Sequence, residues 1–192
     1  DSLTCLRVVD LCNVASIVDV GTGAGFPGLV LKIMNPAARV LLIDSVGKKV
    51  GFVREVSVSL GLQDVESVHA RAEELGKHQR YRERFDLAVA RGVSSLSPLA
   101  ECCLPFVGLG GLFVAMKGPK VAQEMRSGAR AVAALGGGAL ETCQLELPFG
   151  AGTRVLVSAT KQRSTPRQYP RRPGVPEHRP LGEAGANRKS PG

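Results

Sequence analysis

The run Val18-Asp19-Val20-Gly21-Thr22-Gly23-Ala24-Gly25-Phe26-Pro27-Gly28 places a carboxylate at the end of an apolar stretch and follows it with four glycines within eight residues. Glycines let a ligand approach the backbone closely. A glycine turn between a strand and a helix N-terminus is where open α/β sheets hold nucleotide-like ligands. A second apolar run, Arg39-Val40-Leu41-Leu42-Ile43, ends in Asp44, sixteen residues after Gly28. A carboxylate there can accept hydrogen bonds from both hydroxyls of a ribose. Two further groups end apolar runs, Arg91 after residues 85–90 and Lys117 after residues 112–116, and an Ala72-Glu73 pair opens a short helical pattern. These types and spacings describe a site for a nucleoside-containing cofactor, with cations near its rim.

The elements that must position them alternate. Residues 3–13 read as an amphipathic helix, with Leu3, Leu6 and Val9 on one side. Strands are expected at 16–20, 39–43, 65–69, 85–90 and 112–116, with helices over 29–34, 45–60, 98–104 and 119–134 and a short helical turn at 70–75. Two last strands, at about 140–147 and 154–160, are separated only by the Pro148 to Gly152 turn and so must be antiparallel. Alternating strands and helices argue for a parallel sheet covered on both faces. A seven-stranded, mostly parallel sheet with a terminal antiparallel β-hairpin is the Rossmann-like α/β arrangement of class I S-adenosylmethionine-dependent methyltransferases.

The chain has 192 residues, 44 % of them apolar, enough for one domain (1–161) and a tail (162–192). No apolar run approaches the roughly 18–20 residues of a membrane span. Residues 161–192 hold eight Lys/Arg against two Glu, and so carry six of the net +8 charges. Such a tail is either a solvated solubility device or an arm for a polyanion, most naturally nucleic acid. Periodicity disappears beyond 161, and disorder is expected from Leu181 on. Cys5, Cys12, Cys102, Cys103 and Cys143 form no CxxC pair and read as reduced core thiols of a reducing compartment. His69, His78 and His178 show no ligand spacing with them, so no metal site is expected. The chain begins at Asp1 without Met, which reads as a fragment or a processed end.

Gly23-Ala24-Gly25-Phe26-Pro27-Gly28 also fits G-x-G-x-x-G, the dinucleotide fingerprint. In that fingerprint the first glycine ends the strand. Here that glycine is Gly21, and the third position counted from it falls on Phe26. Topology therefore favours a methyltransferase over an NAD-binding dehydrogenase or nucleotide sensor. The structural readings stay open at this point: an ordinary tight turn for the glycines, helix caps for Asp19 and Asp44, a solvated helix start for Glu73, and a strand cap or surface cation for Arg91 and Lys117.

Several segments resemble the 16S ribosomal RNA guanine-N7 methyltransferases, the glucose-inhibited division protein B family. They are Asp1-Ser2-Leu3, the glycine loop with its Gly25-Phe26-Pro27-Gly28, Ile43-Asp44-Ser45 with Lys48-Lys49 and Phe52, and Arg71-Ala72-Glu73. They continue with Phe85-Asp86, Ala90-Arg91, Leu104-Pro105, Phe113 to Gly118 and Tyr169-Pro170-Arg171-Arg172-Pro173-Gly174. The resemblance runs in register from residue 1 to about 181, and family members usually carry further N-terminal helices. It implies S-adenosylmethionine as cofactor, held by Gly21 and Phe26 with the rest of the loop, Asp19, Gly23 and Gly25. Asp44 and Ser45 would take the ribose and Ala72 and Glu73 the adenine edge, with Arg91 at the fourth strand end. The implied partner is 16S ribosomal RNA or the small ribosomal subunit, met by Lys48, Lys49, Lys117, Arg167, Tyr169, Arg171 and Arg172. A monomer in a bacterial cytoplasm or a chloroplast stroma is expected. A class I methyltransferase acting on a small molecule or protein is the alternative. Guanine N7 has a free lone pair at neutral pH, so no catalytic His or Cys is expected. Arg91 and Lys117 are positioning candidates, and His69 reads as structural.

Overall fold

The computed structural model describes residues 1–92 and 94–183. Seven strands form one sheet in the order β3-β2-β1-β4-β5-β7-β6. They are β1 (Ser16–Val20), β2 (Arg39–Asp44), β3 (Val65–His69), β4 (Phe85–Arg91), β5 (Val107–Lys117), β6 (Glu141–Glu146) and β7 (Thr153–Thr160). The first five are mutually parallel, and β7 runs antiparallel between β5 and β6. This is the expected doubly wound sheet with its terminal hairpin. The crossover helices are α1 (Gly28–Met34), α2 (Gly47–Ser59), α3 (Ala72–Leu75), α4 (Leu96–Cys103) and α5 (Met125–Ala134), and a last turn, α6 (Val175–His178), follows β7.

The central strands are apolar on both faces because helices cover both. All five residues of β1 are buried, and two apolar clusters lie on opposite sides of the sheet. One joins Val18, Val20, Leu41 and Ile43 to Leu96, Leu99, Leu104 and Phe106. The other joins Ile17, Val40, Leu42, Leu87 and Val89 to Leu29, Leu31 and Val53. Alternation along β1 and β2 assigns successive residues to the two clusters, as the pleat requires. The strand order reverses between β1 and β4, so the crevice at their carboxyl ends is the topological switch point where such sheets bind ligands.

Four expectations differ in detail. Residues 3–13 form two 3-10 segments, Ser2–Arg7 and Leu11–Asn13, because Asp10 accepts from the Cys12 N–H and the Asn13 amide and interrupts the helix. The segment 119–134 likewise divides into a 3-10 turn, Pro119–Gln123, and α5. β5 begins at Val107, five residues early, since Phe85 pairs with Val107 before the ladder shifts register. Cys12 is exposed, unlike the core thiols Cys5 and Cys103.

The tail is the larger departure. Residues 162–183 lie against the domain, with Thr165 and Pro170 buried. The Arg82 guanidinium donates to the carbonyls of Gly76, Thr165 and Tyr169 at 2.7–2.9 Å, tying this strap to the loop before β4. The buried Lys161 ammonium is held by the Leu104 carbonyl, the Thr165 hydroxyl and, at 3.5 Å, Glu83; burial pulls its pKa down to about 8. Leu181 and Gly182 accept hydrogen bonds from Ser97 and Arg130 on α4 and α5. The disorder expected from Leu181 on falls, from residue 184, outside the described residues. Among the described residues no helix is long and apolar enough to cross a membrane.

Candidate active site

The glycine loop is pinned from beneath. Asp19, fully buried, accepts from the Thr22 hydroxyl at 2.7 Å and the Gly28 N–H at 2.8 Å through one oxygen. That carboxylate therefore ties the end of β1 to the start of α1. Its other oxygen, also buried, has no hydrogen-bond partner among the described residues. Burial pushes the pKa up to about 6, against the opposing pull of the Thr22 and Gly28 hydrogen bonds. Gly28 has to be glycine: a Cβ there would stand 2.5 Å from a Leu42 methyl and 2.7 Å from Asp19 Oδ2. Gly21 and Thr22 donate their N–H groups to the Ile43 carbonyl and bind the loop to β2.

Above this loop opens a cavity of about 370 Å³. It is lined by Gly21 to Ala24 and Phe26 of the loop, by Asp44, Ser45, Val46 and Lys49 at and after the end of β2, and by residues that include Ala72, Glu73, Arg91, Cys102 and Glu177. Asp44 is 5 % exposed. Its oxygens accept one backbone N–H each, from Val46 at 2.9 Å and from Gly23 at 3.0 Å. Gly23 takes a left-handed φ of +60° to make that bond. The two bonds fix the plane of the carboxylate and leave a lone pair on each oxygen, which suits a vicinal diol. Lys49 stands 3.8 Å away and balances the charge. Phe26 is 44 % exposed, and the Arg91 guanidinium lies 5.7 Å from its ring centre. The same guanidinium donates to Asp1 at 3.0 Å. Glu73 is nearly buried and accepts from the Gly174 N–H at 3.1 Å.

The donor set has the chemistry an adenosyl ligand needs: a fixed acceptor for a diol at Asp44, a second carboxylate at Glu73, a close backbone turn and an exposed aromatic ring at Phe26. The structure brings Gly21, Gly23, Phe26, Asp44, Ser45, Ala72, Glu73 and Arg91 to one cavity. Asp19 and Gly25 do not line it; both are buried behind the loop, where Asp19 sets its shape.

The expected RNA contacts divide. Lys48, Lys49, Arg167 and Arg172 are exposed. Arg171 is not an outward cation, because its backbone and guanidinium grip the fully buried Glu101 on α4. Lys117 is committed to the Ser94 carbonyl at 2.8 Å and Glu124 at 2.9 Å, so it staples the β4–α4 loop instead of presenting a free charge. Tyr169 packs partly buried against the core and offers no stacking platform. His69 meets the Ser45 carbonyl at 3.1 Å through a ring nitrogen.

Sequence reasoning missed Glu101 and Glu177. A lone carboxylate in Leu96-Ser97-Pro98-Leu99-Ala100-Glu101-Cys102-Cys103 was the available signal for the first, since such a charge inside an apolar helix needs a buried partner. Glu177 carried none. A second cleft of about 420 Å³ adjoins the first across Arg91 and Gly92 and is lined by Asp1, Met116, Lys117, Gly118 and Arg154.

The family model described as rRNA small subunit methyltransferase G matches residues 1–148. Ribosomal RNA small subunit methyltransferase G of Pelotomaculum thermopropionicum is 51 % identical over 181 residues, covering 94 % of this chain and 76 % of that protein. The protein of the same name from Alkaliphilus metalliredigens is 46 % identical with the same coverage. Among solved structures, a predicted O-methyltransferase from Agrobacterium tumefaciens superposes with a TM-score of 0.63 at 21 % identity, covering 79 % of this chain and 76 % of that one. A SAM-dependent O-methyltransferase from Thermotoga maritima gives 0.63 at 16 % identity, over 86 % and 66 %. At that identity these two neighbours speak for the fold alone. Fold, cradle and sequence agree, and the chain belongs to the rRNA small subunit methyltransferase G family.

Proposed function

We propose that this protein transfers a methyl group from S-adenosylmethionine to N7 of a guanine in small-subunit (16S) ribosomal RNA. The observation that carries the reading is the cavity at the β1/β4 switch point, with Asp44 fixed by two backbone N–H groups, in a chain of this family. Asp44 would hold the ribose, with Ser45 beside it, and Ala72 and Glu73 the adenine edge. Gly21, Gly23 and Phe26 would shape the bed for the remainder. The cofactor, when bound, supplies a methyl group already activated on a sulfonium.

Guanine N7 carries its lone pair unprotonated at neutral pH, so the new C–N bond forms as the C–S bond breaks, and no base is needed. What this chain must contribute is placement and a tolerant electrostatic setting. In-line positioning accounts for up to roughly 7–11 kcal/mol in favourable cases. The cleft sharing Arg91 and Gly92 with the cofactor cavity is the natural seat for the base. Arg91, stacked near Phe26 and tethered to Asp1, forms the partition between the two and is the positioning residue. Lys48, Lys49, Arg167 and Arg172 offer exposed cations to RNA phosphates. The protein acts in a bacterial cytoplasm or a chloroplast stroma as a monomer, and light scattering of the purified chain tests the monomer.

The deciding experiment is methyl transfer from labelled S-adenosylmethionine to naked small-subunit RNA, to assembled small subunits, to protein extract and to small molecules, followed by mapping of the modified base. Label at a single guanine N7 is the expected result. Label confined to protein or small molecules refutes the assignment.

A further inference from the structure

We propose that Arg171 is a positioning residue of the cofactor cavity, acting through the strap it anchors on Glu101; the proposal rests on that cavity being the cofactor site. Glu101 is fully buried on α4. Its Oε1 accepts from the Arg171 backbone N–H at 2.7 Å and from Nε at 2.9 Å; its Oε2 accepts from Nη2 at 2.6 Å and Nε at 3.1 Å. All four bonds come from one residue. A buried ion pair of this kind is a weak source of stability, because desolvation offsets the Coulomb attraction, and an apolar pair often serves as well. Its distinctive property is directional: a two-point guanidinium grip plus a main-chain bond permits one register of the strap and no other.

That register matters three residues later. Gly174, at φ +81°, aims its N–H at Glu73 Oε1, 3.1 Å away. Glu73 lines the cavity at the start of α3 and is 8 % exposed. The bond from the strap occupies Oε1 and orients the carboxylate, and no other hydrogen bond to it exists among the described residues. The strap then enters α6, buries Pro176 and brings Glu177 to the same cavity. Upstream, Arg82 holds the Thr165 and Tyr169 carbonyls, so the segment is clamped on both sides of Arg171. Cys102 lines the cavity with Glu73 and Glu177, and burial, with the Glu73, Glu101 and Glu177 carboxylates nearby, pushes its thiol far up. A displaced strap therefore displaces the group facing the adenine end. Charge at Arg171 serves the cofactor, whereas its neighbour Arg172 remains outside.

The test measures binding of S-adenosylhomocysteine by calorimetry to the full chain, to Arg171→Lys and to Glu101→Gln. Asp86→Asn is the control. Asp86 accepts from Ala15 N, Ser16 N and Ser16 Oγ, each at 2.9 Å, at the opposite end of the sheet, so its loss destabilises the fold without touching the site. Both strap variants should bind about fivefold or more weakly and raise the KM for S-adenosylmethionine with kcat at saturating cofactor unchanged. Asp86→Asn should keep full affinity. Wild-type affinity in the folded strap variants overturns the proposal, whereas no binding by the wild-type chain overturns the cavity assignment itself. Should the variants not fold, hydrogen exchange on the wild-type chain decides. Ligand must slow exchange at 171–178 along with 72–76, and slowing confined to the loop at 21–26 refutes the strap's role.

Discussion

Replacing Asp19 by Asn should change the pH dependence of stability more than stability itself. The carboxyl is wholly buried, with one oxygen bonded to Thr22 and Gly28 and the other without a partner. Burial raises its pKa from 3.8 to about 6. A raised carboxyl means that the folded state binds the proton more tightly than the unfolded chain. Its contribution is therefore fully present below the unfolded pKa and is lost as pH rises through about 6. A shift of about two units corresponds to about 3 kcal/mol once the group is ionised. Asn does not titrate, and its carbonyl can take over the bonds from Thr22 and Gly28. Its amide then faces the unpartnered position at a cost of about 1–3 kcal/mol that does not vary with pH. Urea unfolding of both proteins from about pH 4 to about pH 7.5 isolates the effect, since every other titrating group cancels in the difference. The wild-type chain should be the more stable at the acid end and fall by about 3 kcal/mol relative to the variant toward neutrality, losing the whole of that advantage. Parallel stability curves would refute the reasoning and show that Asp19 is charged throughout.

Gly28→Ala should destabilise the fold by about 1–3 kcal/mol in thermal or urea melts, because its methyl group meets both Leu42 and the Asp19 carboxylate. Asp44→Ala should weaken S-adenosylhomocysteine binding at least about tenfold in calorimetry, since it removes the diol acceptor and frees the Gly23 N–H. Arg167→Glu and Arg172→Glu should each lower the slope of log affinity against log salt for small-subunit RNA by about one in filter binding, with the melting temperature unchanged. Arg171→Glu should instead lower the melting temperature, because a second carboxylate is set against the buried Glu101.

The element order, the parallel sheet and its terminal hairpin were legible because their signals are local. Alternating apolar strands and helical spacing gave the crossovers, the short turn at 148–152 required an antiparallel hairpin, and the glycine loop with Asp44 marked two neighbouring strand ends. What the sequence hid is long-range pairing. Nothing within a few residues of Arg171 or Lys117 distinguishes a cation facing solvent from one facing Glu101 or Glu124. The basic composition of 161–192 reads as an arm, yet its inward residues find carboxylates and carbonyls contributed by segments 57 to 82 residues earlier. Asp19 shows the same limit at short range. Its place at a strand end pointed to a ligand, while its bonds to Thr22 and Gly28 make it a brace.

The walls of one cavity are drawn from Val20 at one extreme and Glu177 at the other. During synthesis the ribosome releases the strap after every strand of the sheet, so a nascent chain already folded through β7 still exposes Glu101 without its guanidinium. Competence for the cofactor thus waits on a segment made after the whole sheet, and a chain halted before Arg171 would hold a finished scaffold around an unfinished pocket.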